Sequence, residues 1–600
     1  MSSKADFFRE RITDFEIKSE TLKSRFNQFS LYRIGLFILF LVLAIVLLNL
    51  NLLGPLLLLG VTFIIAFGIT VKKHNQIKKR SELCQKLLLL NKEEKNRLEF
   101  NFDGITDGHE FVDEKHVYSD DLDVFGRNSL FQLINRAGTF RGIQLLANWL
   151  KEPAGNNVIE TRQRSIKELG SIVDWRQKVH AHASNATSKK ENEELFFQWL
   201  SGEDSIRNKP FYRLLPYLVI LISSVMIVGY FIEVVSFFAF LIPFILTGYF
   251  LFKIIDYSRK TYEMTQSGVL ILESIENIVR LIEEKEFNYE YLLNLKSNLM
   301  PQNIVASEKI KELRKVFDWL SLRGNQIYLI LNSIFLFDFI LLAKAEKWRA
   351  AYKDEIAQWF DTIAEFEALN SLAAFSFANE EYAFPTIMEA PFIFRGKEIG
   401  HPLIPTKSRI DNEFSIEDQG TTGVITGSNM AGKSTFLRTI GINAILAFAG
   451  APVCAKSLNI SNFHVFTSMR TKDNLEENIS SFYAELLRLK MLLEQINEEK
   501  PIMYFLDEIL KGTNSVDRHV GAESLILQLN ETNAFGLVST HDLELGKLEK
   551  DNEKIKNYNF SSSIIGEEIV FDYKLREGIC QSTNASQLMA KIGIQIKSNT

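Results

Sequence analysis

From Ile34 to Val71 the chain carries no charged residue across 38 positions, and Asn49-Leu50-Asn51 with Gly54-Pro55 interrupts the run near its middle. About 20 apolar residues cross a bilayer as a helix, so this run predicts two helices joined by a very tight turn. Leu214 to Phe252 repeats the pattern over 39 positions, with Glu233 the one charged residue, at the centre. A carboxylate at mid-membrane costs ~3 kcal/mol on insertion scales, which places Glu233 at the exposed tip of a second hairpin. Two apolar runs of this length, with Glu233 their one charged residue, exceed what a globular core uses. The expectation is four transmembrane helices in two hairpins, over residues 31–72 and 209–254.

Lys and Arg at the membrane ends set the orientation. Lys23, Arg25 and Arg33 precede the first hairpin, and Lys72, Lys73, Lys78, Lys79 and Arg80 follow it. Lys209 and Arg213 precede the second, with Lys253, Arg259 and Lys260 after it. All four flanks are basic, so they face the cytoplasm, and the expected location is the inner (cytoplasmic) membrane, multi-pass, with the polar mass on the cytoplasmic side. A fifth apolar stretch, Ile327 to Ala343, is shorter and contains Asn332 and Asp338; it reads as a helix packed in a helical core.

Gly427-Ser428-Asn429-Met430-Ala431-Gly432-Lys433-Ser434 is a G-x-x-x-x-G-K-S phosphate-binding loop, and the apolar run Gly423-Val424-Ile425-Thr426 precedes it as a strand should. Glycines let backbone N–H groups close around phosphates, and the following helix N-terminus adds a favourable dipole. Lys433 would reach the β/γ-phosphates and Ser434 would ligate Mg²⁺. Ile502 to Leu506 is a second apolar strand, ending in Asp507-Glu508. The first carboxylate can hold Mg²⁺ and the second can orient or deprotonate a water, so hydrolysis is expected as well as binding. A third short strand, Leu537-Val538, leads to Ser539-Thr540-His541, where His541 could sense the γ-phosphate.

Thr426-Gly427-Ser428-Asn429-Met430-Ala431-Gly432-Lys433-Ser434-Thr435 resembles the T-G-x-N-M-x-G-K-S-T loop of the MutS mismatch-repair ATPases. Gly400-His401-Pro402-Leu403-Ile404 is similar to that family's R-H-P segment, and Ser480-Ser481-Phe482-Tyr483-Ala484-Glu485-Leu486 to its S-T-F-x-x-E-M signature. Asp507 to Asp517 resembles D-E-x-x-x-G-T-S-x-x-D, and Ser539-Thr540-His541 the switch histidine. Asp123 to Arg136, with Thr139, Gly142, Leu145-Leu146 and Trp149-Leu150, looks like the start of the family's helical core; Phe366 to Ala373 looks like the end of its lever helices. The resemblance implies ATP and Mg²⁺ as cofactors, with Gly427, Asn429, Met430, Gly432, Lys433, Ser434 and Thr435 around the nucleotide and Ser434 and Asp507 on the metal. It implies Lys433, Glu508 and His541 as catalytic residues, and a homodimer in which Ser480 completes the partner's site.

Departures from the family are equally informative. The core begins near position 120, with no room for mismatch-reading and connector domains. Phe8-Arg9-Glu10 has the F-x-E form of the mismatch-reading motif but no domain around it, and is read as coincidence. In the family a DNA-gripping clamp sits between the two halves of the lever region; here the second apolar hairpin lies there.

The resulting plan is multidomain: a cytoplasmic segment (1–30), the first hairpin (31–72), a linker (73–120), a MutS-like helical core (121–208), the second hairpin (209–254), the remaining lever and core (255–395), and an α/β P-loop, ABC-like ATPase domain (396–600). The net charge of −6 gives no whole-chain nucleic-acid footprint. Cys84, Cys454 and Cys580 match no metal spacing and suggest a reducing compartment. The expected function is a membrane-anchored MutS-like ATPase coupled to DNA, for which Arg127, Arg136 and Arg141 are candidate members of a basic stripe. The alternative is an ABC-type ATPase driving transport or membrane remodelling without DNA. Against transport, no L-S-G-G-Q signature is present.

Overall fold

The computed structural model describes residues 4–184, 190–301, 304–428, 430–470, 481–496, 500–565 and 568–580. Two helices of 46 residues open the chain, α1 (Lys4–Asn49) and α2 (Leu53–Leu98). Each is ~69 Å long at 1.5 Å per residue. They pack side by side, and the turn between them places Asn51 at φ +55°, a conformation asparagine tolerates well. The apolar half of the pair is unburied, with Leu57, Leu58 and Ile64 each at least 70% exposed, and is knit within itself by rings such as Phe40 stacked on Phe63 at 4.1 Å.

Where the uncharged run ends, a polar cluster ties the helices together: Ser30 Oγ lies 3.0 Å and Arg33 Nη1 3.1 Å from the ring of His74. The polar halves then dock on the rest of the molecule. Arg11 donates to Asn91, Asp174 and Gln177, and Phe8 is buried against Phe377. Burial of that ring removes the F-x-E motif from any reading role. Residues 73–98, a linker by sequence, are the second half of α2.

Short helices follow: α3 (Leu130–Ile134), α4 (Phe140–Lys151), α5 (Asn156–Gly170), α6 (Val173–Ala183) and α7 (Lys190–Leu200). Thr139 caps α4 by accepting from Gly142 N–H at 3.1 Å. The second apolar hairpin is α8 (Pro210–Phe231) and α9 (Phe237–Lys253). Glu233 lies exposed in its turn at φ +62°, where the sequence places it. Next come α10 (Ile255–Glu284), α11 (Glu290–Ser297), α12 (Ala306–Ser321), α13 (Gln326–Phe335) and the 42-residue α14 (Phe337–Ala378).

The fifth apolar stretch is therefore two helices rather than one. They meet at 85° through Leu336 in the left-handed region, and Asp338 just past the break is fully buried. Its partners explain how: it accepts from Tyr328 OH at 2.6 Å and Ser258 Oγ at 2.9 Å, and pairs with Arg323 at 3.2 Å. By length and composition, three helices of the described residues could cross a membrane, or five if each of two bent pairs is one span.

Buried carboxylates on α14 fasten the helical region. Glu346 accepts the backbone N–H groups of Ser205, Ile206 and Arg207 and the hydroxyl of Tyr257. It thereby grips both ends of the α8–α9 hairpin. Glu367 does the same for Gly138 and Thr139, and burial raises its pKa.

The C-terminal part holds two sheets. A small one runs β1 (Thr386–Met388), β5 (Ser457–Ser461), β2 (Ile393–Ile399), β3 (Asn412–Glu417); the larger has the order β10-β9-β4-β8-β7-β6. Its strands are β4 (Thr422–Gly427), β6 (His464–Ser468), β7 (Ile502–Asp507), β8 (Ala534–Thr540), β9 (Ile555–Ile565) and the antiparallel edge β10 (Glu568–Glu577). The other five strands pair in parallel, and their apolar sequences fit a sheet covered on both faces.

Helices α16 (Ser481–Gln495) and α17 (Ser515–Asn530) pack with Tyr504, Leu506 and Val538 on one face. On the other, Ile425, Phe505 and Leu537 join α15 (Lys433–Ala449) in one core continuous with the helical region. Close approach at Gly441 makes this possible, since a Cβ there would lie 2.9 Å from Leu122 Cδ1. The two regions of MutS resemblance are joined directly as well. Asp121 accepts from Thr467, Met469 N–H and Arg470 N–H, and Asp123 pairs with Arg470 at 2.9 Å.

Candidate nucleotide site

In open α/β sheets ligands bind beyond the carboxyl ends of the strands, and three adjacent strands here end in the residues singled out by sequence. β4 leads into the glycine loop, β7 ends at Asp507 and β8 at Thr540. The loop is tight: a Cβ on Gly427 would lie 2.7 Å from the Phe560 carbonyl oxygen, and one on Gly432, at φ +104°, 3.0 Å from the Tyr573 ring. Met430 also has positive φ and is 83% exposed. Lys433 is the first residue of α15 and is buried, its Nζ donating to the carbonyls of Gly427 (3.0 Å) and Ser428 (3.2 Å). Burial pushes its pKa below the ordinary lysine value against the pull of Glu508 and Asp507.

Glu508 follows β7 at φ +51° and is pinned by its own N–H to Ser539 O at 3.0 Å. Its carboxylate lies 2.8 Å from His541 Nε2 and 3.0 Å from Lys511 Nζ. The hydrogen bond to His541 is the largest cause holding its pKa at about 2, with burial opposing. His541 Nε2 also lies 3.4 Å from Lys433 Nζ, so Lys433, His541 and Glu508 form one chain of contacts. Asp507 accepts a hydrogen bond from Ser539 Oγ. Gly427, Met430, Gly432, Lys433, Ser434, Thr435, Asp507, Glu508 and His541 are thus brought to one end of the sheet. Asn429 and Ser480 lie outside the described residues.

A cleft of about 570 Å³ opens beside the loop. Its lining includes Met430 to Thr435 and Glu508 together with Ile399, His401, Arg409, Ile410 and Tyr573. Sequence reasoning missed Tyr573. A β-bulge between Phe571 and Leu575 re-aims it, and Asn412 holds that bulge by donating to Tyr573 O (3.0 Å) and accepting from Leu575 N–H (2.9 Å). No local sequence signal marks a bulge of this kind. Arg409 is paired with Asp411 at 2.7 Å and reaches Tyr382 OH at 3.3 Å, just past the end of α14. Burial lowers the His401 pKa to about 4, so its ring is neutral at pH 7.

The signature segment docks on the loop that follows Glu508. Glu485, buried in α16, accepts from Leu510 N–H, and Phe482 lies against Gly512, where a Cβ would meet Phe482 Cβ at 2.4 Å. Gly512→Val is therefore expected to push out the first turn of α16. Because small misplacements near reacting groups cost up to ~100-fold, steady-state ATP turnover should fall at least about tenfold with nucleotide affinity retained. Unchanged turnover would show that this docking does not matter.

A glycine-lined loop, a buried lysine and a paired carboxylate at the carboxyl ends of parallel strands define the P-loop class of nucleoside-triphosphate-binding proteins. Comparison with known proteins narrows the class. Residues 423–595 match the family model described as MutS domain V. Curated relatives include the DNA mismatch repair protein MutS of Aquifex pyrophilus, 31% identical over 231 residues, which are 38% of this chain and 26% of that protein. The DNA mismatch repair protein MutS of Natronomonas pharaonis is 27% identical over 249 residues, 41% of this chain and 28% of its own. The putative endonuclease MutS2 of Bacillus subtilis is 29% identical over 263 residues, 42% and 32% respectively. The alignments cover about a third or less of these relatives' length. The chain carries a MutS domain V ATPase, preceded by a helical region with long unburied apolar helices.

Proposed function

We propose that the protein is a membrane-anchored MutS-type ATPase whose nucleotide cycle moves α14, and through it the second apolar hairpin. The observation that carries the nucleotide part is the convergence of Lys433, Asp507, Glu508 and His541 at the ends of β4, β7 and β8. The residues fit ATP and Mg²⁺. Ser428 Oγ is buried in the loop with no protein partner, Gly427 and Gly432 let the loop pack where a Cβ would meet Phe560 O and the Tyr573 ring, and the cleft has apolar lining at Ile399, Ile410 and Tyr573 for a base. Ser434 and Asp507 would hold Mg²⁺, which supplies charge neutralisation on the phosphates. Lys433 binds the β/γ-phosphates, Glu508 orients the attacking water and takes its proton, and His541 positions Glu508. Gly427, Asn429, Met430, Gly432 and Thr435 complete the cradle, with Ser480 of a second copy completing the site in a homodimer.

The unburied apolar lengths of α1 and α2 and the largely exposed apolar lengths of α8 and α9 support four crossings with basic flanks on the cytoplasmic side. Three relatives bear names that refer to DNA repair or endonuclease action, which supports DNA as an effector. One observation favours the second reading, a membrane target without DNA. The proposed basic stripe does not form, because Arg136 is buried against Glu94 at 2.8 Å and Arg141 is paired with Glu193 and Asp361. Arg127 alone of the three is exposed.

The test is ATP turnover of the detergent-purified protein with duplex, mismatched and branched DNA, alongside Lys433→Ala. Loss of the buried lysine should weaken ATP binding by roughly 2–5 kcal/mol. Stimulation by one DNA form, weakened by salt as phosphate contacts require, supports DNA coupling. Lys433-dependent turnover indifferent to every DNA supports the membrane target, and turnover that survives Lys433→Ala overturns the assigned site.

A further inference from the structure

A second cleft, of about 670 Å³, lies between α8 and α14 at the start of the second hairpin. Four cations line it, Arg207, Arg213, Lys344 and Lys347, and no carboxylate does. Arg207 has a partner in Asp204 at 3.1 Å, which also pairs with Arg349. Arg213, Lys344 and Lys347 have no ion-pair partner among the described residues. The arrangement is built by helical spacing. Ile340, Ala343, Lys344 and Lys347 share one face of α14, as i, i+3, i+4 and i+7 residues do, and Arg213, Leu214 and Tyr217 face them from α8.

An adjoining cleft of about 620 Å³ shares Lys344 and Lys347 and adds Lys315 and two indoles, Trp319 and Trp348. Its one carboxylate, Glu312, is taken by Lys309 at 2.9 Å. Arg213 is the last charged residue before the 39-residue apolar run. The cations therefore sit where a spanning helix emerges, the depth at which Trp, Lys and Arg collect in membrane proteins.

What leads away from the groove identifies its occupant. Leu214, Tyr217, Leu218, Leu221, Val225 and Val228 are each at least 50% exposed and fall on one side of α8 at three- and four-residue spacing. They form an apolar track ~21 Å long at 1.5 Å per residue. A ligand that satisfies both parts has a phosphate for the cations and a hydrocarbon chain for the track. Duplex DNA matches the first and has nothing to set against the second.

Resting on the membrane-anchored reading above, we propose that the α8–α14 groove binds an anionic phospholipid, its headgroup phosphate held by Arg213, Lys344 and Lys347 and an acyl chain lying along α8. Basic pockets beside spanning helices on the cytoplasmic side are suited to such headgroups. The site joins a bound lipid to the helix that runs from the hairpin to the nucleotide domain, so lipid occupancy and the position of α14 are linked.

The experiment uses the full chain, purified in detergent and stripped of lipid, with phosphatidylglycerol and phosphatidylcholine of identical acyl chains as probes and native mass spectrometry as readout. Wild type should retain phosphatidylglycerol about tenfold better than phosphatidylcholine, given the attraction each cation exerts on anionic lipid. R213Q/K344Q/K347Q should lose that preference to within about twofold with an unchanged melting curve. K72Q/K73Q/K78Q, which removes as many charges beside the other hairpin, should keep it. Equal retention by wild type and R213Q/K344Q/K347Q, or equal loss in both variants, overturns the groove. Displacement of the lipid by a duplex oligonucleotide overturns it in favour of a nucleic-acid surface. Cell fractionation separates the underlying reading: a wild-type chain in the soluble fraction refutes anchoring and the groove together, whereas a membrane-bound chain without lipid preference refutes the groove alone.

Discussion

Glu508→Gln is expected to slow ATP hydrolysis by about 10²–10⁴-fold, the usual contribution of a positioned general base, while ATP still binds. The substitution keeps the shape of the side chain and removes its charge and basicity. Backbone geometry argues that the position is specialised: Glu508 adopts φ +51° and is fixed by its N–H bond to Ser539 O at 3.0 Å. A non-glycine residue in that region is uncommon and costs conformational energy that the surroundings must offset. His541 and Lys511 hold its carboxyl at about 2, so it is ionised throughout the physiological range. It is also a weak base while both contacts persist. Lys511→Ala, which removes one of them, should lift the acid limb of the pH–rate profile toward the ordinary glutamate value. Single-turnover hydrolysis measured beside binding of a fluorescent ATP analogue separates chemistry from affinity. A Glu508→Gln variant with wild-type turnover would remove Glu508 from the mechanism, and one that cannot bind ATP would make its role structural.

Glu94→Ala should destabilise the helical region by about 3–5 kcal/mol, the cost of leaving a buried charge without its partner. Glu94 joins Arg136 through two hydrogen bonds, 2.9 and 2.8 Å, and all three side chains of the Glu94, Arg97 and Arg136 cluster are buried. Burial alone would raise the Glu94 pKa, but Arg136 and Arg97 bring it down to about 2. A folded-state value below the unfolded one means that the contribution is fully present above the unfolded pKa, near 4.5, and disappears as pH falls toward 2. With ~1.4 kcal/mol per pKa unit, the shift corresponds to about 3 kcal/mol, in line with the mutational figure. Thermal scans should show the variant melting roughly ten degrees lower at pH 7, with the gap narrowing below pH 4.5. A variant that melts with wild type at pH 7 would show that the pair contributes nothing net. Glu94→Leu/Arg136→Met, which removes both charges, should cost less than either single change.

Legibility from sequence followed the distance over which each feature is determined. The phosphate loop, the carboxylates after β7 and His541 after β8 are each set within a few residues, by an apolar strand and a polar tip, and the structure puts them where the motifs place them. The hairpin turns were equally local, since Asn51 and Glu233 mark them by being polar where everything around is not. Features made by distant partners were not legible. Tyr573 enters the cleft because Asn412, 161 residues away, holds a bulge. Arg136 and Arg141 have the local sequence of surface cations, and their partners Glu94, Glu193 and Asp361 lie 42, 52 and 220 residues away. The α13–α14 break turns on Leu336 and on a buried Asp338 whose partners come from three separate segments. The composition of Ile327 to Ala343 carries no trace of that bend.

The clasp made by Glu346 also has a consequence in time. Ser205, Ile206 and Arg207 leave the ribosome about 140 residues ahead of it, and Tyr257 89 residues ahead. When the α8–α9 segment has just left the ribosome, the residue that will cinch its two ends together has not been synthesised. The hairpin therefore forms with its feet apart, and it becomes a fixed part of the molecule only when α14 arrives and closes over them.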